Sequence, residues 1–387
     1  MKTFTILFFI ALFATQSFAQ RDLTNIKSWA YWLQTIDINT IINNTSFELI
    51  VMDYSANGEE PDKWTTKQIN AVKNSGKITI AYISIGEAED YRYYWKSEWT
   101  KNPPAWLGPE NPEWKGNYKV RFWNNNWQTI IYDYIDKILN QGFDGIYMDI
   151  IDGYYYWSVT NPEQPFADSL MCQFVIDIRR HCDNFRGDNN FIILPQNGCD
   201  VWDQENISAG LKNKYFDAIN GIGVEDVFFP GDKEQDNNFE PDDYRIGILK
   251  EYTRRGKQVF AIDYLTEPQK ITQLISAAHQ ENFVPYACTR YLNHLCDGIT
   301  DIAISSSFSK SNCITPNPAT DYIDVMLSEV KNPFFSGKIY DVLGNVVNTP
   351  PNPLLIDGDK IRLDVSGLVA GVYFVRVCGK MYKFVKM

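Results

Sequence analysis

Short apolar runs alternate with amphipathic segments through most of the chain. Eight runs are predicted as strands, at 29–34, 48–55, 78–86, 145–151, 190–197, 218–228, 258–265 and 284–290. Between most of them apolar residues recur at helical spacing, as in 63–75, 125–141, 165–182, 241–255 and 268–282. Strands that alternate with helices form a parallel sheet, and eight such units close into a barrel. The pattern predicts a (β/α)8 TIM barrel over residues 20–301, with a doubly wound open sheet as the alternative.

After residue 301 the composition changes. Residues 302–312 are rich in Ser, lose the helical spacing and are predicted as a linker. Beyond them, apolar runs at 322–327, 337–340, 361–364 and 372–377 are separated by turn residues, which is typical of a small β-sandwich. We therefore expect an α/β protein with a second, all-β domain over residues 313–387.

The N-terminus has the features of a secretory signal peptide over residues 1–19. Lys2 precedes an apolar stretch at 4–13, and Ser17-Phe18-Ala19 forms a cleavage site, so the mature chain is predicted to begin at Gln20. The alternative, a membrane helix, requires a longer apolar core to cross about 30 Å of hydrocarbon. No later segment is long and apolar enough to span a membrane.

Charge and cysteine content narrow the function further. The formal net charge of −12 disfavours nucleic acid and anionic lipid as partners and favours a cationic substrate. Seven cysteines are an odd number, so at least one is unpaired. Cys288 and Cys296 are the predicted disulfide, and no cysteine spacing matches a zinc or redox motif. We expect that the protein needs neither a cofactor nor a metal ion.

Acidic residues lie at the ends of several predicted strands. Alternation along 145–151 directs Tyr147 and Asp149 inward, and along 218–228 it directs Gly223 and Glu225 inward. The same reasoning places Asp53 and Asp263 at the carboxyl ends of their strands. Since catalytic groups of such barrels collect at these ends, four acids are predicted to meet at one mouth.

Glycoside hydrolysis is the reaction that this set of groups suits. It uses two carboxyl groups, one as acid and the other as nucleophile or base, and Asp149 and Glu225 lie on alternate strands where both can reach one sugar linkage. His181, His279 and His294 fall in helices or a late loop, so a histidine-based site lacks its parts at the rim. The alternative is a metal-dependent hydrolase with a carboxylate site of Asp53, Asp149, Asp152 and Asp263.

Aromatic residues are concentrated in a long insertion at 90–117 and next to it. Six tryptophans fall between 95 and 127, and most are expected to pack while one or two contact sugar. Long insertions at a barrel mouth are usually functional. The aromatic run from Tyr154 to Trp157 follows Asp149 closely and is expected to line the cleft.

The C-terminal segment resembles a known sorting domain. Residues 315–319 (TPNPA), 339–344 (IYDVLG) and 368–375 (LVAGVYFV) are similar to the C-terminal sorting domain of the bacterial type IX secretion system. The resemblance implies export by that machinery and a secreted or outer-surface location. The alternative, a carbohydrate-binding sandwich, is disfavoured because the segment has no Trp.

The barrel segment resembles glycoside hydrolase family 114, the endo-α-1,4-polygalactosaminidase-like barrels. The resemblance rests on residues 81–92 (AYISIGEAEDYR), 142–154 (GFDGIYMDIIDGY) and 224–228 (VEDVF). It implies cleavage of internal α-1,4 linkages in a galactosamine polymer, with Asp149 as nucleophile and Glu225 as acid/base. It also implies substrate-contacting or supporting roles for Asp53, Glu87, Asp90, Tyr154 and Asp263.

The substrate-binding candidates also include Tyr54, Asp152, Asn197 and Tyr264. Galactosamine is cationic when deacetylated, so a mouth with several carboxylates suits it. The alternative from another class is a surface protein that binds polysaccharide through the same barrel without cleaving it.

Overall fold

The computed structural model describes residues 20–296, 314–326, 338–341, 346–348, 354–357, 360–377 and 380–387. The chain divides into two compact units, Met1–Gly298 and Ile299–Met387. The predicted signal peptide at 1–19 and the predicted linker at 302–312 lie outside the described residues.

The first unit contains all eight predicted strands and a small additional sheet. Its strands are β1 (Trp29–Trp32), β2 (Leu49–Met52), β3 (Ile78–Ser84), β4 (Glu87–Glu89), β5 (Leu107–Glu110), β6 (Asn117–Val120), β7 (Gly145–Asp149), β8 (Ile192–Pro195), β9 (Gly221–Glu225), β10 (Gln258–Tyr264) and β11 (Val284–Cys288). Its helices are α1 (Ile38–Asn43), α2 (Thr66–Asn74), α3 (Asn125–Gln141), α4 (Gly153–Tyr155), α5 (Ala167–Arg186), α6 (Ala209–Ala218), α7 (Asp243–Arg254) and α8 (Pro268–Gln280).

The helices begin and end where the local sequence favours it. The Thr65 hydroxyl accepts a hydrogen bond from the Gln68 N–H, and the Gln68 side-chain oxygen accepts one from the Thr65 N–H, which forms a capping box at the start of α2. Gly142 ends α3 in the left-handed conformation with φ of 93°, which glycine adopts without strain. Pro268 opens α8, where its missing N–H is not needed.

Eight parallel strands form two sheets, in the orders β1-β2-β3-β7-β8 and β11-β10-β9. The sheets meet at β8 and β9, where Gln196 forms a parallel bridge with Gly223 and the Asn220 N–H donates to the Ile193 carbonyl at 2.9 Å. The two outer strands are also in contact, because the Trp29 indole N–H donates to the Val284 carbonyl at 3.0 Å. The predicted parallel arrangement is confirmed.

Aromatic rings fill the space between the two sheets. Tyr147 packs against Tyr31, with ring centroids 5.2 Å apart, and against Trp29 at 6.3 Å. Gly223 on β9 faces the Tyr147 ring so closely that a Cβ atom there would lie 1.8 Å from the Tyr147 hydroxyl. The inward orientation expected for Tyr147 and Gly223 is therefore confirmed, and glycine is required at 223.

The long insertion after β3 folds as a three-stranded antiparallel sheet in the order β4-β6-β5. Most of its tryptophans pack, as expected: Trp106 is buried and lies 4.9 Å from the Trp127 ring. Trp157 donates a hydrogen bond to the Val120 carbonyl at 2.9 Å. Trp114 is the exception, with 55% of its surface exposed.

The second unit is all-β where it is described. Its strands are β12 (Ile314–Thr315), β13 (Tyr322–Met326), β14 (Lys338–Tyr340), β15 (Val346–Asn348), β16 (Leu354–Asp357), β17 (Lys360–Asp364), β18 (Gly371–Val377) and β19 (Lys380–Lys386). They form two four-stranded sheets, β12-β13-β17-β16 and β15-β14-β18-β19. Both sheets contribute to one apolar core, which includes Ile323, Leu363, Val375 and Phe384.

The predicted disulfide between Cys288 and Cys296 is present, with Cα atoms 5.5 Å apart. Cys172, Cys182 and Cys199 are buried and free. In the part of the chain that the structure describes, no helix is both long and apolar enough to cross a membrane.

Candidate active site

A cavity of about 650 Å³ opens at the carboxyl ends of the parallel strands. This is the edge where barrel enzymes collect their functional groups. The polar part of its wall includes Tyr31, Asp53, Tyr82, Glu87, Glu89, Arg92, Asp149, Asp152, Asn197, Glu225, Tyr264 and Arg290. Trp114, Tyr91 and Tyr291 add exposed aromatic rings to the same wall.

Asp149 is the last residue of β7, and both of its oxygens accept hydrogen bonds. The Tyr82 hydroxyl donates to Oδ2 at 2.7 Å, and the Ile150 N–H donates to Oδ1 at 2.8 Å. Ile150 adopts a left-handed conformation with φ of 60°, which is unfavourable for a β-branched residue and typical of functional sites. Burial and the nearby charge of Glu225 raise the pKa of Asp149 well above its usual range.

Glu225 is the last residue of β9 and is held mainly by two side chains. The Asn197 amide donates to Oε2 at 2.7 Å, and the Tyr264 hydroxyl donates to Oε1 in a short hydrogen bond. The Asn197 carbonyl oxygen in turn accepts the Glu225 N–H at 3.1 Å. Asn197 therefore holds both the backbone and the carboxylate of Glu225, which restricts the direction in which the carboxylate points.

Asp152 is a third acid of the cavity and follows β7 by three residues. Enclosure by the cavity wall, together with the charges of Glu225 and Glu87, raises the pKa of Asp152 to about 6. Within residues 20–296, Asp149, Asp152 and Glu225 form no salt bridge, whereas Glu87 is paired with Lys119 at 3.1 Å. The centre of the cavity is therefore negative and suits a ligand with a positive charge.

A buried guanidinium forms one side of the cavity. Arg92 donates to Asp53 Oδ2 at 2.7 Å and to Glu89 Oε2 at 2.6 Å. The rings of Tyr54, Tyr82, Tyr91 and Tyr134 surround it, with centroids 4.8 to 5.8 Å from the guanidinium carbon. Arg92 thus compensates two acids of the wall, so Asp53 is a structural ion-pair partner as much as a cavity group.

The sequence model of glycoside-hydrolase family GH114 matches residues 13–303, well over half of the chain. The chain belongs to this family. It is therefore a glycoside hydrolase, and the resemblance inferred from the three sequence motifs is confirmed.

Relatives in other organisms support the assignment to GH114. An uncharacterized protein of Methanocaldococcus jannaschii is 40% identical over 280 residues, which cover 68% of this chain and 78% of the relative. An uncharacterized protein of Thermotoga maritima is 32% identical over 289 residues, which cover 73% of this chain and 86% of the relative.

Two solved structures share the fold of this GH114 protein. Aspergillus fumigatus Ega3, solved in complex with galactosamine, has a TM-score of 0.52 and 17% identity, covering 73% of this chain and 98% of that one. The glycoside hydrolase domain of PelA from Pseudomonas aeruginosa has a TM-score of 0.53 and 16% identity, covering 71% and 98%.

The C-terminal unit has a separate match. A secretion-system C-terminal sorting domain covers residues 314–387. This GH114 hydrolase is therefore a secreted or cell-surface protein, in agreement with the resemblance found in the C-terminal sequence.

The structure brings together only some of the residues expected to contact substrate. The cavity wall includes Asp53, Glu87, Asp152, Asn197 and Tyr264 beside the Asp149 and Glu225 pair. Tyr54, Asp90, Tyr154 and Asp263 do not line it. Tyr154 is buried and donates to Asp200 at 2.9 Å, and Asp90 is an exposed residue of the insertion that packs beside Gly116.

Asp263 requires a correction, because the orientation expected for its strand is wrong. Asp263 Oδ1 accepts hydrogen bonds from the Phe228 N–H at 3.1 Å and the Phe229 N–H at 2.8 Å, so it holds the loop after β9. The neighbouring Tyr264 points to Glu225 instead. Burial raises the pKa of Asp263 to about 8, which keeps it protonated at neutral pH.

The arrangement also bears on the metal alternative. Of the four acids considered as ligands, Asp263 lies away from the cavity and Asp53 is occupied by Arg92. Among the described residues, the only cluster with metal-ligand spacing is Cys288, His294 and Cys296, and its two sulfur atoms are joined in the disulfide. The geometry favours catalysis by the carboxyl groups themselves over the metal-dependent alternative.

Sequence reasoning missed Tyr82, Arg92 and Arg290, three residues that organise the carboxylates. Tyr82 and Arg92 stand inside the motif at 81–92, so that motif contained the signal. Arg290 ends the last predicted strand, where a basic residue alone gives no indication of its partners.

Proposed function

We propose that the protein is an extracellular endo-glycosidase that cleaves α-1,4 linkages in a galactosamine-containing polysaccharide. Membership of GH114 supports the reaction class. The observation that carries the substrate class is the concentration of Asp149, Asp152 and Glu225 in one cavity, where none of them forms a salt bridge within residues 20–296, which suits a cationic amino sugar. The related fold of Ega3, a protein solved with galactosamine, is consistent with this choice.

We propose further that the two parallel sheets close into one (β/α)8 barrel. The contacts between β8 and β9, and between β1 and β11, support closure on both sides. In such a barrel β7 and β9 are alternate strands, so Asp149 and Glu225 approach a bound sugar from two directions.

In the proposed reaction Asp149 attacks the anomeric carbon while Glu225 protonates the departing oxygen. Glu225 then removes a proton from water, and that water releases the sugar from Asp149. Tyr82 orients the nucleophile, and Asn197 with Tyr264 orients the acid/base. Attack requires Asp149 to be ionised, although its pKa is raised in the free cavity. We propose that the ammonium group of the substrate favours the ionised form, because a nearby positive charge lowers the pKa of a carboxyl group.

The decisive experiment replaces the two acids separately. Asp149→Asn and Glu225→Gln should each lower the release of oligosaccharides from a partially deacetylated galactosamine polymer by about a hundredfold or more, while polymer binding persists. Asp232→Asn and Glu205→Gln, exposed acids outside the cavity, are the matched controls and should behave as wild type. Full activity of either cavity variant would contradict the proposed pair, whereas binding of polymer without cleavage by the wild type would favour the non-catalytic alternative.

Azide distinguishes the two roles. With Glu225→Ala, external azide should restore turnover and give a glycosyl azide of retained configuration, because azide takes the place of the water that the acid/base would activate. With Asp149→Ala it should give the inverted azide. The opposite pattern would exchange the roles.

A further inference from the structure

A disulfide-closed loop forms part of the cavity wall. The loop, residues 289–295, begins after Cys288 at the end of β11 and is closed by Cys296. Its centre is attached to the segment after β1, where the Leu33 N–H and the Gln34 N–H both donate to the Leu292 carbonyl, at 2.9 and 3.2 Å. Leu292 has a positive φ of 46°, so the loop maintains a conformation that a leucine seldom adopts.

Arg290 connects this loop to the residue that follows Glu225 and to one of the two side chains that bind its carboxylate. Its Nη2 donates to Asp226 Oδ2 at 2.9 Å, and Asp226 directly follows Glu225 in the chain. Its guanidinium lies 4.1 Å from the centre of the Tyr264 ring. The Tyr264 hydroxyl donates to Glu225 Oε1. One side chain therefore contacts both the residue beside Glu225 and the phenol that binds its carboxylate.

We propose that the loop closed by Cys288 and Cys296 is a positioning device for Glu225, and that Arg290 is the positioning residue through which it acts. The proposal rests on the proposed function, in which Glu225 is the acid/base. Arg290 itself is not required to touch the reacting atoms.

Two physical effects support this role. A cation on the face of a phenol polarises its O–H bond, so Arg290 strengthens the hydrogen bond from Tyr264 to Glu225. A covalent closure of a short loop removes alternative conformations, so the disulfide keeps Arg290 at the distance where both contacts form. Opening the disulfide should loosen both contacts together.

The location of the protein gives the disulfide a functional consequence. Disulfides persist outside the cytoplasm and are rare within it. The hydrolase is exported, so the bond that positions Glu225 is stable in the environment to which the protein is delivered. Before export, in a reducing compartment, the same chain should have a less well oriented acid/base.

Several other charged or titratable groups lie close to Glu225 and must be unchanged in the test. Facing it, or close enough to affect it, are Tyr31 on β1, Tyr147 and Asp149 on β7, Asp152 after β7, Asp226 after β9, Arg245 on α7, Tyr264 on β10 and Arg290 in the loop. Variants at 288, 290 and 296 alter only Arg290 in this set.

The test compares full-length wild type with Arg290→Gln, Arg290→Lys and the double variant Cys288→Ser/Cys296→Ser. Arg290→Gln and the double variant should each lower kcat by about tenfold to a hundredfold, the range expected for a misplaced catalytic group. Both should also move the alkaline limb of the pH–rate profile to higher pH, because a cation near the cavity is lost or displaced. Arg290→Lys keeps the charge and should restore the position of the limb, with only part of the rate.

Reduction supplies a second, reversible measurement. Dithiothreitol should produce the low-rate, shifted profile in the wild type and should leave the double variant unchanged, which controls for effects on other cysteines. A lower rate with an unmoved pH profile in Arg290→Gln and the double variant would indicate a merely structural role and overturn the proposal, as would unchanged kinetics. If the loop variants overturn the proposal while Glu225→Gln is inactive, only the role of the loop is refuted. An active Glu225→Gln would refute the proposed function itself.

Discussion

Replacing Arg92 with Met should destabilise the first unit strongly. The Arg92, Asp53 and Glu89 side chains are 1%, 3% and 4% exposed, so the pair of carboxylates has almost no access to water. The variant provides an apolar side chain of similar length but removes the cation that, among the described residues, pairs with both acids. Removing one partner of a buried ion pair typically costs about 3–5 kcal/mol, because the remaining charge stays buried without compensation.

The loss should depend on pH, and its sign follows from Asp53. Burial raises the pKa of Asp53 to about 6 even though Arg92 opposes the shift. Without Arg92 that pKa rises further, so the folded state binds a proton that the unfolded chain has already released at the same pH. Stability of the variant therefore falls as the pH rises from about 5 to 8, at up to about 1.4 kcal/mol per pH unit for Asp53.

Tryptophan fluorescence during urea unfolding measures this change in the intact chain. All eleven tryptophans lie in residues 29–202, so the signal reports on the first unit alone. Arg180→Met, which removes the exposed cation of a surface pair with Asp177, is the matched control and should change the free energy of unfolding by less than about 1 kcal/mol. The triple variant Arg92→Met/Asp53→Asn/Glu89→Gln should recover much of the loss. A cost for Arg92→Met below about 1 kcal/mol at pH 8, or an equal cost at pH 5 and 8, would refute the reasoning.

Three further changes test other parts of the cavity. Tyr82→Phe removes a hydrogen bond to Asp149. A hydrogen bond to a charged group contributes about 1.5–3 kcal/mol, so kcat in steady-state assays should fall by about tenfold to a hundredfold. An unchanged kcat would contradict the role of Tyr82. Trp114→Ala removes an exposed ring of the wall and should raise KM by about threefold to tenfold with kcat little changed, whereas Tyr244→Ala, exposed outside the cavity, should leave KM as it is. In urea unfolding, the free energy of unfolding of Asp263→Asn should increase relative to that of wild type as the pH rises from 5 to 8. The reason is that the pKa of Asp263 in the folded state, about 8, exceeds its pKa in the unfolded chain. A difference in unfolding free energy that does not change with pH would count against protonation of Asp263.

The sequence was sufficient to predict the parallel strands and the position of Asp149 and Glu225 at one cavity. In the strands that carry Asp149 and Glu225, apolar residues occupy alternate positions, and the acid stands on the other face, two residues after Tyr147 or Gly223. The structure agrees with this assignment, because Gly223 faces the Tyr147 ring. The positions of Asp149 and Glu225 in the cavity follow from that alternation.

The orientation of β10 could not be deduced in the same way. Both of its faces are apolar, with Val259 and Ala261 on one side and Phe260 and Ile262 on the other, and all seven residues are buried. A strand covered on both sides has no polar alternation from which to assign its faces. The choice between Asp263 and Tyr264 as the cavity residue depends on long-range packing instead.

The partners of Arg92 and Arg290 were also beyond sequence reasoning. Asp53 and Arg92 are 39 residues apart, and they meet because the insertion after β3 folds back over the end of β2. Arg290 reaches Asp226 across 64 residues. Ion pairs of this kind are set by loop conformation, which strand and helix periodicity does not describe.

The contact between Gly223 and Tyr147 constrains how the sequences of β9 and β7 can change during evolution. A larger residue at 223 can be accepted only if position 147 becomes smaller at the same time, so the two sites are expected to vary as a pair across descendants of this gene. The strand beneath Glu225 has little freedom to diversify through single substitutions. New substrate preferences should therefore arise mainly through changes in the loops that surround the cavity, while the strand that carries Glu225 stays unchanged.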